Sequence, residues 1–255
     1  MTHEDASLLR IEHLSKAFDG VQALNDVSFS VGAGEMVALI GPNGAGKTTC
    51  FNIINGQLEP DAGSVWLAGD RIDGWPPQRV AVAGVGRTFQ TAATFPSMTA
   101  RQNVQLALLA GAGKYGALGR RLAIAHRSEA GALLVRVGAG SLSEQVCASL
   151  SYPDAKRVEL AVALAQPKRA PRLLLMDEPT AGTAPRDRGS VMELVSALAR
   201  DSGVATLFTE HDVDVVFRFA ARVIVLDRGR IIADGPPASV RADPRVQAVY
   251  LGTEG

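Results

Sequence analysis

The sequence predicts an α/β fold, a mostly parallel sheet wrapped by helices. Three observations predict it. Strand-like and helix-like patterns alternate along the chain. Three stretches, Glu35–Ile40 (EMVALI), Arg172–Met176 (RLLLM) and Val204–Phe208 (VATLF), are continuously apolar, as strands covered on both faces are. The glycine-rich segment Gly41–Thr49 (GPNGAGKTT) falls between the first of these runs and a helical pattern.

In chain order, LLRIEHL and DVSFSV alternate apolar and polar residues and read as half-buried strands. Glu35–Ile40 follows as a buried strand, then a helix from about Gly46, closed by Gly56. GSVWLAGDRI reads as a pair of short strands. From about Ser97 to Val146 the chain is rich in Ala, Leu and Arg and reads as helical, interrupted at AGAGKYGALG. A further helix starts at Ser151. That serine can cap it, Asp154 favours its positive end, and Pro153 lies in the first turn, where a missing N–H costs little. The two remaining buried strands flank a helix near Arg188–Arg200, and RVIVLDRGRIIADG reads as a hairpin turning at Asp227–Gly229.

The chain has 255 residues, enough for one large domain with an ample interior. Lys+Arg and Asp+Glu both number 26, so no overall field favours nucleic acid or acidic lipid. The N-terminus carries charges where a signal peptide needs its apolar region, and no run approaches the ~18 apolar residues of a membrane span. A membrane role is therefore expected to come through a partner. Cys50 and Cys147 form no CxxC pair and read as reduced, packed thiols, with a disulfide as the alternative.

Gly41–Thr49 matches GxxxxGK[ST] between a strand and a helix, the context that gives the pattern meaning. The loop's residues, Gly41, Asn43, Gly44, Ala45, Gly46, Lys47, Thr48 and Thr49, supply backbone N–H groups and a helix N-terminus for phosphate oxygens. Lys47 can reach β- and γ-phosphates, and Thr48 can ligand Mg²⁺. RLLLMDEPT ends an apolar strand in two carboxylates at the carboxyl edge of the sheet. Asp177 suits Mg²⁺ and Glu178 suits the attacking water. Two acids ending a strand are, taken alone, more often a loop start; beside the glycine loop they read as a catalytic pair. Gln90 (GRTFQ) and His211 (LFTEHD) could point to the same edge.

In this order Gly41–Thr49, Gln90, LSYPD, LLLMDEPTAG and His211 resemble the ATP-binding subunit of an ABC transporter over Leu9 to about Gly252. GRTFQ, LFTEHDVDVVF and VQAVYLG further resemble the ATPase subunits of branched-chain (hydrophobic) amino-acid importers. The resemblance implies a phosphate-loop NTPase core, an N-terminal antiparallel β subdomain and a helical subdomain inserted at about 91–165, all within one domain spanning 1–255. It implies ATP and Mg²⁺ as cofactors, with Thr48, Gln90 and Asp177 toward the metal and Glu178, His211 and Gln90 as catalytic residues. Phe18 would stack on adenine, with an ordinary core Phe as the competing reading. Ser151, in a signature loop, would face ATP held by another subunit. The implied partners are a second ATPase subunit in a homo- or heterodimer, transmembrane permease chains and an extracytoplasmic solute-binding protein, with no nucleic acid. The implied location is the cytoplasmic face of the bacterial inner membrane.

A GTPase would need a guanine-reading segment such as NKxD, which is missing, and a metabolite kinase has no use for the signature loop and His211. The alternatives kept are the ATPase of a lipid or lipopolysaccharide exporter, and a catalytically impaired ATP-binding partner in a heterodimeric pair. The last arises from Pro153. The family's signature has a glycine there whose N–H faces the γ-phosphate, and proline has none.

Overall fold

The computed structural model describes residues 7–90, 93–111, 125–166, 171–183 and 185–251. β1 (Ser7–Phe18), β2 (Val21–Gly32), β3 (Met36–Ile40), helix α1 (Lys47–Ile54), β4 (Ala62–Leu67) and β5 (Asp70–Arg71) form the first part. Then come α2 (Pro77–Val82), β6 (Val85–Thr88), α3 (Ala100–Gly111), α4 (Arg127–Arg136), α5 (Tyr152–Ala163) and β7 (Leu173–Asp177). The chain continues through α6 (Pro185–Ser202), β8 (Ala205–Thr209), α7 (Val213–Phe219), β9 (Arg222–Asp227), β10 (Arg230–Gly235), α8 (Pro237–Ala242) and α9 (Pro244–Leu251).

Among these residues the strands build two sheets. The central one runs β10-β9-β3-β8-β7-β6, and the smaller runs β2-β1-β4-β5. The central sheet is parallel throughout except for the β9–β10 hairpin, and the smaller one is antiparallel. Because β3, β6, β7, β8 and β9 run parallel, their carboxyl ends share one edge. The loops that follow β3, β6, β7 and β8 all leave from that edge.

The continuous apolar runs are explained by a core on each face of the sheet. Successive side chains of a strand point to opposite faces. Val37 and Leu39, Leu173 and Leu175, and Ala205 and Leu207 therefore join Phe51 and Ile54 of α1 and the apolar side of the antiparallel sheet. Ala38 and Ile40, Leu174 and Met176, and Phe208 join Val104 and Leu108 of α3, Leu134 of α4 and Val158 of α5. Helices α3, α4 and α5 pack on one another and form the predicted helical layer.

The predicted helix through Val146 is corrected by the structure. After α4 the chain turns at Gly138, whose φ is 71°, and proceeds through short 3₁₀ turns at Gly140–Leu142 and Cys147–Ser149. Glycines in this stretch and an apolar content without helical spacing favour turns that tie back to α3. The carbonyls of Gln145 and Ser143 accept from the N–H groups of Ala100 and Arg101. The AGAGKYGALG interruption lies largely outside the described residues.

Both cysteines are free and buried, as read from the sequence. Burial in the α1 core pushes the Cys50 thiol up to about 12. Cys50 is therefore expected to resist iodoacetamide at pH 8.5 in the native protein and to react only after denaturation; mass-spectrometric mapping of alkylated peptides checks this.

Candidate functional site

The glycine loop is shaped by backbone conformations that a side chain would obstruct. Gly46 caps α1 with φ 106°, and a Cβ there would stand 2.4 Å from the Ala23 carbonyl oxygen. A Cβ on Gly41 would stand 2.0 Å from the Leu226 carbonyl oxygen, so the loop's entry lies hard against β9. The loop is further pinned to the β9–β10 turn, where the Gly229 N–H donates to the Ala45 carbonyl at 3.0 Å. Asn43, Gly44 and Thr48 are exposed at its rim. The Lys47 ammonium donates to the carbonyls of Gly41, 2.7 Å, and Pro42, 3.0 Å. Its partial burial lowers its pKa, opposed by the nearby carboxylates of Glu178 and Asp177.

Those carboxylates end β7. Asp177 lies opposite Thr209 of β8 in register, and the Thr209 hydroxyl donates to Asp177 Oδ1 at 2.8 Å. The same hydroxyl accepts from the Glu178 N–H at 3.1 Å. Glu178 has φ 47°, a left-handed conformation that costs a non-glycine residue of order 1 kcal/mol. That turn aims its carboxylate along the edge. Gln90 Nε2 donates to its Oε2 at 2.8 Å, and His211 Nε2 lies 2.8 Å from its Oε1. Four sequence-selected residues, Gln90, Asp177, Glu178 and His211, thus meet at and just beyond the carboxyl ends of β6, β7 and β8, with Lys47 near enough to feel both carboxylates.

Thr48, Asp177 and Gln90 offer a hydroxyl, a carboxylate and an amide carbonyl, an all-oxygen donor set that suits a hard divalent cation shared with phosphates. Arg87 sits behind Asp177, its Nη2 3.8 Å from Oδ2 and its Nη1 donating to Asn52 of α1 at 2.7 Å.

Phe18, at the end of β1, is 43% exposed and so is not an ordinary core Phe. Lys16 Nζ lies 5.7 Å from the centroid of that ring. Ser151 caps α5. Its hydroxyl accepts from the Asp154 N–H at 3.3 Å and donates to Asp154 Oδ2 at 2.7 Å, with Pro153 in the first turn. The bonds found for Ser151 lie within its own helix start, not with the glycine loop of the same chain.

Several residues of the site were not found by reading the sequence. Thr209 and Arg87 hold Asp177 from neighbouring strands. Glu210, beside His211, is buried with its pKa raised by that burial, and it accepts from the Thr180 N–H at 2.8 Å. Thr209's position two residues before His211, at the end of an apolar strand, was the available signal.

A phosphate loop facing paired carboxylates at the carboxyl edge of a parallel sheet defines a nucleoside-triphosphate hydrolase of the phosphate-loop class. Comparison with known proteins narrows the class. The family profile described as ABC transporter matches residues 24–181, and one described as branched-chain amino acid ATP-binding cassette transporter matches residues 230–255. The chain is 34% identical to the high-affinity branched-chain amino acid transport ATP-binding protein BraF of Pseudomonas aeruginosa, over 96% of this chain and 98% of that protein. It has the same identity and coverage with LivG of Escherichia coli K12. It is 39% identical to the phosphonates import ATP-binding protein PhnC 1 of Rhodopseudomonas palustris, over 92% of this chain and 84% of that protein. The solved ADP conformation of MJ1267, an ATP-binding cassette of an ABC transporter, superposes with a TM-score of 0.84 at 30% identity, covering 96% and 99% of the two chains. A dimeric post-hydrolysis cassette, MJ0796 bound to ADP and Pi, superposes with a TM-score of 0.74 at 26% identity, covering 90% of this chain and 98% of that one.

The chain belongs to the ATP-binding cassette family of ABC transporters. It is an ABC-type ATPase whose ATP hydrolysis is coupled to transport. Among the described residues no helix is long and apolar enough to cross a membrane.

Proposed function

We propose that this chain is the ATP-hydrolysing subunit of an importer for branched-chain or other hydrophobic amino acids. The observation that carries the substrate class is the C-terminal segment, residues 230–255, which matches the branched-chain cassette profile. The full-length similarity to BraF and LivG supports it. All of residues 1–255 act as one cassette, with the helices within about 91–165 as its inserted subdomain. It works at the cytoplasmic face of the bacterial inner membrane with a second cassette, permease chains and an external solute-binding protein.

In this reading, Gly41, Asn43, Gly44, Ala45, Gly46 and Thr49 cradle the ATP phosphates, Lys47 pairs with the β- and γ-phosphates, and Phe18 stacks on adenine. Thr48, Asp177 and Gln90 hold Mg²⁺, which when bound neutralises charge on the phosphate oxygens. Glu178 takes a proton from the attacking water, and His211 steadies the γ-phosphate. Ser151 meets ATP held by the facing cassette, and two copies could do this through one isologous interface.

The test is uptake of labelled leucine by cells whose chromosomal copy is replaced by a Lys47→Ala form. Leucine uptake is expected to fall to background. Intact leucine uptake with lost phosphonate uptake would move the substrate assignment to the class that PhnC 1 represents.

A further inference from the structure

Gln90 is gripped from two sides, and only one of them is the ATP site. Its side chain donates to Glu178. Its loop's backbone is held by helix α5 through three side chains, Tyr152, Lys156 and Glu159. Their spacing of four and three residues sets them on one face of that helix. Tyr152 Oη donates to the Gln90 carbonyl at 3.0 Å. Lys156 Nζ donates to the Phe89 carbonyl. Glu159 Oε1 accepts from the N–H groups of Phe89, 2.9 Å, and Ala93, 3.1 Å. Lys156 and Glu159 also pair with each other at 3.1 Å, and their side chains are only 4% and 2% exposed.

Overall stability does not call for this arrangement. A buried ion pair contributes little over well-packed apolar side chains, because both ions are desolvated. What apolar residues could not do is bind backbone groups on both sides of Gln90. The tyrosine also reaches a second loop. A Cβ on Gly182 would stand 3.1 Å from its ring, so the ring lies against the segment that follows Glu178. Tyr152 is the residue next to Ser151, at the end of α5 that faces the opposite cassette in the function proposed above.

We propose that Tyr152, Lys156 and Glu159 are positioning residues for ATP hydrolysis: a strap that sets Gln90 through its backbone and makes its contact with Glu178 follow the start of α5. This rests on the roles given above to Gln90 and Glu178.

Tyr152→Phe is the discriminating variant, because it removes one donor and keeps the ring against Gly182. Turnover of Mg·ATP is measured for the full-length chain, alone and assembled with its membrane subunits, with ATP affinity read by displacement of a fluorescent nucleotide. The strap predicts a three- to tenfold lower kcat with ATP affinity unchanged within twofold. It also predicts no further loss when Tyr152→Phe is added to Gln90→Ala, since the hydroxyl acts through that residue. Glu159→Gln, which keeps an acceptor for both amides, should retain most of the turnover. An equal fractional loss in the Gln90→Ala background, a loss of ATP affinity alone, or an unaltered Tyr152→Phe enzyme overturns the strap. Unchanged turnover in Gln90→Ala by itself removes Gln90 from the mechanism, and the strap with it; that result is distinct from a fall there beside an unaltered Tyr152→Phe.

Discussion

Replacing Glu178 with Gln is expected to lower ATP turnover by about 10²–10⁴-fold while leaving ATP binding intact. The network around the side chain explains why the loss should be chemical rather than structural. Glu178 accepts from Gln90 on one oxygen and lies beside His211 on the other, both at 2.8 Å. A carboxamide can keep both contacts, its carbonyl accepting from Gln90 and its NH₂ donating to a neutral imidazole. The strained backbone at φ 47° and the bond from its N–H to Thr209 do not depend on the side chain's charge. Only the proton acceptor disappears. The variant should therefore unfold within a few degrees of the parent and hold ATP in a closed pair, read by sedimentation with and without ATP. Undiminished turnover would falsify the assignment of Glu178 as base.

The second large effect is expected in the opposite direction. Pro153→Gly should favour ATP-dependent pairing. In the family pattern the signature position offers a backbone N–H to the γ-phosphate; Pro153 has none, and the neighbouring Ser151 hydroxyl is engaged by the Asp154 carboxylate. A hydrogen bond to a charged oxygen is worth about 1.5–3 kcal/mol, or roughly 10–150-fold in an equilibrium constant. Against that stands a loss of rigidity in the first helical turn of less than about 1 kcal/mol, which leaves a net gain. The measurement is the ATP concentration giving half-maximal dimer in the Glu178→Gln background, where turnover does not interfere. A fall of tenfold or more is expected. An unchanged midpoint would mean that this N–H is not used and that the proline simply starts the helix.

What could be read in advance was the part encoded over short spans. Gly41–Thr49 sits between a continuous apolar strand and a helix within a few residues, so its geometry is local. Asp177 and Glu178 inherit their position from RLLLM, and His211 from VATLF, because a buried parallel strand fixes where its end lies. β6 was harder to see: Val85–Thr88 is four residues long and contains Gly86, too short for any period to register. The partners of these residues were not legible at all. Glu159 reaches Phe89 across 70 positions and Tyr152 reaches Gln90 across 62, and no local spacing encodes such a meeting. Read locally, Lys156 and Glu159 are an ordinary i,i+3 pair on a helix surface. Burial against a loop brought in by β6 is what turns them inward.

The two-faced packing of β3, β7 and β8 has a mechanical meaning. Neighbouring residues such as Leu39 and Ile40 answer to different cores, so the central sheet is a partition between two compartments that share strands but few side chains. One compartment is stiffened by the antiparallel sheet and α1 and keeps the phosphate loop in shape. The other holds α3, α4 and α5 together with apolar residues of α6, α7, α8 and α9. A shift of α5 therefore enters the site through the Gln90 segment, while the phosphate loop, rooted in the first compartment, is insulated from it by the sheet.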